Sequence, residues 1–148
     1  MKINLTSSYA LRAVVFLAAQ PGNPPIASHL IAQARGIPEK FLGKVLKPLV
    51  SAQILYSLKG PNGGYRLARP AKEITLLEIV EPVDGPLLGL APALETADAA
   101  NLNPRLEAVC EESAGVYRKQ LAKVRLSDLA DIPPKQPAEP PKRSRKEG

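Results

Sequence analysis

The chain is poor in the residues that build metal centres and covalent chemistry, with one cysteine and one histidine among 148 residues. A single thiol excludes a disulfide framework, and one Cys with one His is too few for a metal or cluster site within one chain. The same scarcity excludes most histidine- and cysteine-based catalysis. No nucleophile–base pair, phosphate loop or carboxylate constellation is present. Glu81 and Asp84 are near neighbours but read as solvated surface acids, so an enzyme is not expected. No apolar run reaches the ~18 residues of a membrane span, so a soluble, cytoplasmic protein is expected. The opening MKINLTSSYALRAVVFLAA resembles a secretory leader only superficially. Polar Asn4, Thr6, Ser7 and Ser8 precede the apolar stretch and Arg12 interrupts it. Aromatics are scarce at 4 %, yet hydrophobic residues total 45 %, enough for a globular core and too many for a wholly disordered chain.

Negative charge is scarce at the start of the chain. Residues 1–73 hold ten Lys/Arg and only Glu39 and Glu73 as acids, a net +8. Residues 74–131 hold five basic and ten acidic residues, net −5, and residues 132–148 hold five and two, net +3. The overall +6 is therefore a basic half joined to an acidic one. That asymmetry points to a polyanion-binding module with an appendage, or to a basic face that is only solvated.

Helical periodicity places apolar Ala10, Ala13, Val14, Leu17 and Ala18 on one face between Thr6 and Gln20. Thr6, Ser7 and Ser8 offer cap oxygens, and Pro21-Gly22 ends the run. Asn23-Pro24-Pro25 reads as a linker. A short second helix is expected over 27–35 with Leu30, Ile31 and Ala34 inward, closed by Gly36. A third helix starts at Pro38, with Leu42, Val45, Leu46 and Leu49 inward and Lys40, Lys44 and Lys47 outward. Pro48 is expected to kink or end it, and Gln53 stands where Gly would be the easier helix exit. Two β-prone runs, 54–59 and 65–68, flank Gly60-Pro61-Asn62-Gly63-Gly64 and read as a hairpin in which Asn62 and Gly63 tolerate positive φ. Thr75 caps a fourth helix to about Glu81. Residues 82–104 read as loop with a helical turn at most.

The fold class is thus mainly α with a small β-hairpin: a helix-turn-helix plus wing, the winged-helix arrangement. A helix fits the major groove and a basic hairpin reaches the backbone or the minor groove. That logic assigns Lys40, Lys44 and Lys47 to the reading helix and Lys59, Asn62, Gly63, Gly64 and Arg66 to the wing. Ser28 and His29 open helix 2, whose amides suit a phosphate, although a surface position explains His29 equally well. Tyr9 either meets the DNA backbone or packs. From Leu102 an apolar seam runs through Leu106, Val109, Cys110, Ala114, Tyr117, Leu121 and Val124, with acids in its first half and bases in its second. Gly115 is its weak point. A second copy of the chain is the expected partner of this long helix, the alternative being that it folds back on its own chain. Residues 132–148, with five prolines, read as a disordered basic tail. Its Lys142, Arg143, Arg145 and Lys146 are expected to add nonspecific DNA affinity.

These residues resemble the bacterial Rrf-two (Rrf2) family of winged-helix transcription regulators over about residues 1–130. The resemblance rests on Leu5-Thr6, Tyr9-Ala10-Leu11-Arg12-Ala13, Gly36-Ile37-Pro38-Glu39-Lys40-Phe41-Leu42, and Leu46 with Leu49. Ser57-Leu58-Lys59-Gly60-Pro61-Asn62-Gly63-Gly64-Tyr65-Arg66-Leu67 is its most specific part, followed by Ile74-Thr75-Leu76, Glu78-Ile79-Val80 and Val124-Arg125-Leu126-Ser127-Asp128-Leu129. It implies a homodimeric regulator, a repressor, on a palindromic operator. The DNA-facing set then also includes Thr6, Tyr9, Arg12, Ser28, Pro38 and Phe41, and the dimer interface Leu106, Val109, Cys110, Tyr117, Leu121 and Val124. The implied division is a DNA-binding domain over 1–81, a loop over 82–101, a dimerisation helix and terminal turn over 102–131, and the tail.

Two departures bear on function. Many members of the family carry three cysteines before the long helix and bind an iron–sulfur cluster. Residues 84–104 here hold neither Cys nor His, so no cofactor and no metal are expected. Cys110 is then a buried small hydrophobe or, across two chains, a redox switch. The second departure is Phe41-Leu42-Gly43, where the family often shows Tyr-Leu-Glu, so operator sequence does not carry over. Against DNA binding stands a protein-interaction module whose basic face meets an acidic partner.

Overall fold

Helix α1 (Leu5–Ala18) forms where alternating one- and three-residue steps put Ala10, Ala13, Val14 and Leu17 on one buried face. The computed structural model describes residues 2–93 and 95–130, so the expected tail at 132–148 lies outside the described residues. The cap of α1 is Asn4, whose side-chain oxygen accepts the Ser7 N–H at 2.9 Å. The expectation of Thr6, Ser7 and Ser8 as cap oxygens is corrected: the helix begins a residue before them. Ser7 is fully buried, and its hydroxyl donates to the Asp84 carboxylate.

Helix α2 (Ser28–Arg35) ends at Gly36, whose φ of 62° is the left-handed conformation expected there. The Ile37 N–H then reaches back to the Ala32 carbonyl at 3.0 Å. Its inward face is Ile31 and Ala32, whereas Leu30 and Ala34 are exposed. The sequence reading had set this face a residue out of phase, easily done on eight residues. Helix α3 (Glu39–Ser51) buries Leu42, Val45, Leu46 and Leu49 as expected, with Pro38 as cap rather than first helical residue. Pro48 does not end it. The helix continues to Ser51 and the Ala52 N–H donates to the Pro48 carbonyl at 2.9 Å. It closes through Gln53, at φ 60°, with Ile54 N–H to Leu49 O at 2.9 Å and Gln53 N–H to Val50 O at 3.0 Å.

Strands β1 (Leu55–Leu58) and β2 (Gly64–Leu67) pair antiparallel, Leu55 opposite Leu67 and Leu58 opposite Gly64. The positive φ angles lie at Gly60 (106°) and Gly64 (153°), not at Asn62 and Gly63. The Asn23-Pro24-Pro25 stretch is more than a linker. Ile26 and Tyr65 exchange backbone hydrogen bonds of 2.9 and 2.8 Å, extending the hairpin by one bridge. The Asn23 side chain holds the Leu67 N–H and C=O at 3.1 and 3.0 Å.

Helix α4 (Leu76–Asp84) starts in a capping box. The Thr75 hydroxyl accepts the Glu78 N–H at 3.2 Å, and the Glu78 carboxylate accepts the Thr75 N–H at 2.8 Å. Burial alone would raise the Glu78 carboxyl. The Thr75 N–H and the Arg69 guanidinium, 3.1 Å away, outweigh it and hold the group below its ordinary value. A carboxyl depressed in the fold contributes stability above its unfolded pKa and loses it as pH falls through the folded value. Thr75→Ala is expected to cost about 1 kcal/mol in thermal or urea unfolding at neutral pH. Glu78→Gln should also destabilise there, and its deficit should shrink on acidification through the depressed range. A pH-independent deficit would show that the charge on Glu78 is idle.

Helix α4 runs through Pro82 to Asp84 with Gly85 as its C-cap, and α5 (Ala99–Lys123) follows the cap Asp98, so both helices reach into the stretch 82–101 expected as loop. The Thr96 hydroxyl bonds the Asp98 carboxylate and holds it below its usual range. At 25 residues α5 is about 37 Å long. The chain then returns: Leu76 N–H to Val124 O (2.9 Å) and Leu126 N–H to Ile74 O (2.8 Å) stitch it to the start of α4. Short α6 (Leu126–Ala130) follows beside α1, with Leu126 fully buried in the main core. A second cluster joins Leu76 and Val80 of α4 to Leu121 of α5, with Tyr117, Val124 and Leu129 packed against it. The second half of the long helix thus has an intramolecular partner. Leu121 is buried against α4, and Tyr117 and Val124 pack beside it while staying partly exposed.

Candidate nucleic-acid interface

The buried face of α3 fixes its other face outward, and there Lys40, Lys44 and Lys47 are all exposed. Among the described residues, ion pairs engage Arg69 with Glu78 and Arg118 with Glu81, and none of the three lysines is neutralised in one. The Lys40 ammonium lies 5.3 Å from the centre of the Phe41 ring. Three unneutralised ammonium groups on one helical face make a strong anion-attracting stripe.

The N-terminus of α1 adjoins this stripe. Tyr9 and Phe41 bring their ring centres to 6.3 Å. Thr6, Tyr9, Phe41 and Lys44, all in the DNA-facing set, line one cavity of about 240 Å³ with Leu5 and Val45. Arg12 is exposed on the next turn. Neither α2 nor α3 has a side-chain cap on its first amides, which leaves those of Ser28 and of α3 after Pro38 open to an anion.

On the wing, Lys59 and Asn62 sit exposed in the loop between the strands. Arg66 faces Tyr56 across the ladder and stacks 5.3 Å from its ring centre, with its Nε buried and unpartnered. Tyr56 was missed in the sequence, although antiparallel pairing across the loop puts it opposite Arg66. The glycines have an internal reason. A Cβ at Gly63 would strike the Leu58 carbonyl, and one at Gly64 the Ile26 carbonyl. Their close approach is to their own chain.

On α5 the seam divides. Leu102, Leu106, Val109 and Val116 are large apolar residues left exposed, and Cys110 is half-buried. Leu88 and Leu90 of the preceding loop are exposed as well. Gly89 between them lies so close to α5 that a Cβ would strike the Cys110 carbonyl.

Among the described residues no group of three His, Cys, Asp or Glu is placed to hold a metal ion, and no helix is long and apolar enough to cross a membrane.

The sequence profile described as "Rrf2: Iron-dependent Transcriptional regulator" matches residues 3–132. Protein aau3 of Rhizobium meliloti (strain 1021) is 41 % identical over 81 residues, 55 % of this chain and 52 % of that protein. The transcriptional regulator NsrR of Shouchella clausii is 29 % identical over 131 residues, 87 % of this chain and 88 % of that one. The solved structure of CymR, the global cysteine regulator of B. subtilis, superposes with a TM-score of 0.72 at 27 % identity, covering 88 % of this chain and 97 % of that one. The chain spans about half the length of several curated relatives it matches. The iron in the profile's description finds no fit here. The loop ahead of α5 offers neither thiolate nor imidazole, and where it meets the helix it does so by backbone, Gly89 against Cys110.

Proposed function

The chain belongs to the Rrf2 family of transcriptional regulators, and from that premise we propose that it binds double-stranded DNA as a homodimeric repressor on a palindromic operator. The observation that carries this reading is the unneutralised Lys40–Lys44–Lys47 face of α3, set beside a basic wing. Helix α3 enters the major groove, Lys59 and Arg66 of the wing follow the backbone, and Thr6, Arg12 and the open amides at Ser28 take phosphates. The protein acts in the cytoplasm, performs no catalysis, and works without a metal cofactor because its donor set suits none. Residues 1–81 supply the DNA-reading surface and α5 the dimer contact.

Purified protein mixed with random duplexes should retain DNA at low salt, and sequencing the retained fragments should return an inverted repeat. Its half-sites should lie about one turn, ~34 Å, apart. No retention at low salt would remove the DNA reading in favour of an acidic protein partner.

The dimer contact falls to the exposed face of α5. Leu102, Leu106, Val109 and Val116 repeat at steps of four, three and seven, a coiled-coil seam. Light scattering at micromolar concentration should give a dimer. Val109→Glu, at a site 61 % exposed in the single chain, should give a folded monomer with unchanged helical content. A wild-type monomer would refute the assembly.

A further inference from the structure

The cavity at the DNA-facing surface is built for more than a phosphate. Its floor is Val45, 1 % exposed, and its walls are Leu5, Tyr9 and Phe41, the last two with ring centres 6.3 Å apart. Among its lining residues Lys44 carries the one charge, Thr6 and Tyr9 carry hydroxyls, and no acid lines it. At about 240 Å³ it is too small for a nucleotide but roomy for one six-membered ring with a substituent. Apolar walls around one cation and the hydroxyls beside it select an anion with an apolar body. Sulfate or phosphate would find no partner for most of its oxygens there.

We propose that this notch between α1 and α3 is an effector site for a small aromatic carboxylic acid. The ring of the ligand lies on Val45 against Tyr9 and Phe41, and its carboxylate meets the Lys44 ammonium and the Thr6 hydroxyl. Given the function proposed above, the ligand opposes DNA in two ways. It neutralises the middle lysine of the α3 stripe, and it fills the space where the α1 and α3 surfaces jointly face the duplex. An acid of this class therefore releases the protein from its operator.

The probe is sodium benzoate, with sodium acetate at equal concentration as the salt control and benzyl alcohol as the uncharged one. In amide-resolved NMR of the full chain, benzoate should shift the signals of residues 5–9 and 41–45 saturably. The expected dissociation constant is about 1 mM or tighter, as suits a ligand of this size. Acetate should produce no such shifts and benzyl alcohol only weak ones. Leu5→Trp, at a rim position 64 % exposed, should close the notch without disturbing the fold and weaken benzoate at least about tenfold. In a DNA-binding assay, ~10 mM benzoate should weaken operator affinity about tenfold and equimolar acetate should not. Absence of saturable shifts, unchanged binding in Leu5→Trp, or benzoate bound without loss of DNA affinity would each overturn the proposal. Failure to retain DNA even without benzoate would instead strike the functional reading, since the NMR titration needs no DNA.

Discussion

Leu121→Asp is expected to abolish cooperative unfolding, not to separate dimers. Leu121 is 7 % exposed and packs on Leu76 and Val80 of α4, with Tyr117 and Val124 beside it. A carboxylate there loses its water and gains no cation. The nearest pairing in that region, Arg118 with Glu81 at 3.3 Å, is already made. The lost apolar packing alone costs about 2–5 kcal/mol, and the unpaired charge adds several more. Against a total stability of about 5–15 kcal/mol the sum leaves little or no folded population. Circular dichroism should show a broad or absent thermal transition, and the chain should populate soluble aggregates. A folded monomer that melts like the wild type would mean that this half of α5 faces a second copy after all. Paired with Val109→Glu, the experiment separates the part of α5 that packs on its own chain from the part proposed to meet a second copy.

The joint replacement of Lys40, Lys44 and Lys47 by alanine should have the largest effect on DNA binding while leaving the fold intact. All three are exposed and none is in an ion pair among the described residues, so folding loses little, and alanine favours the helix. If each lysine meets one phosphate per protomer, three contacts vanish. The slope of log affinity against log salt then falls by about 2.7 per half-site, which at 0.1 M salt is a loss of roughly 500-fold. The measurement is affinity for operator and for random duplex across a salt series. The loss should appear on both, because these contacts carry charge more than sequence. An unchanged salt slope would move the contact surface off α3.

The elements with strong local signals were legible from the residues. The inward face of α3, the Thr75 cap, the left-handed Gly36 and the awkward Gln53 each rest on neighbours within one or two turns. The lysine stripe followed directly, since burying Leu42, Val45, Leu46 and Leu49 leaves the lysines nowhere else to point. What escaped detection depends on contacts distant in sequence. Nothing near Ile26 announces its bridge to Tyr65, and nothing near Asn23 announces its clamp on Leu67. The seam of α5 looked uniform because apolar periodicity reports that a face is buried, not by what. Only the stitch of Val124 and Leu126 to Ile74 and Leu76 reveals which half is claimed by the chain itself. Pro48 removes one ladder bond, yet the four buried residues around it carry the helix on to Ser51. At the site, charge was legible while the cavity was not, because a cavity is the shape left between two helices.

Leu126 has a consequence for the order in which the molecule comes into being. The proposed DNA-reading surface ends near residue 81, yet the main core is closed by a side chain made more than forty residues later. A nascent chain that has so far folded only α1 to α4 has a hole where Leu126 belongs and an unpaired backbone at Ile74. Contacts of such sequence separation slow folding and leave apolar surface open while synthesis proceeds. Completion of the core under α1 to α4 therefore waits until α5 and the start of α6 have been made. A chain cut off after α4 lacks both the side chain that closes its core and the helix proposed to carry the dimer contact.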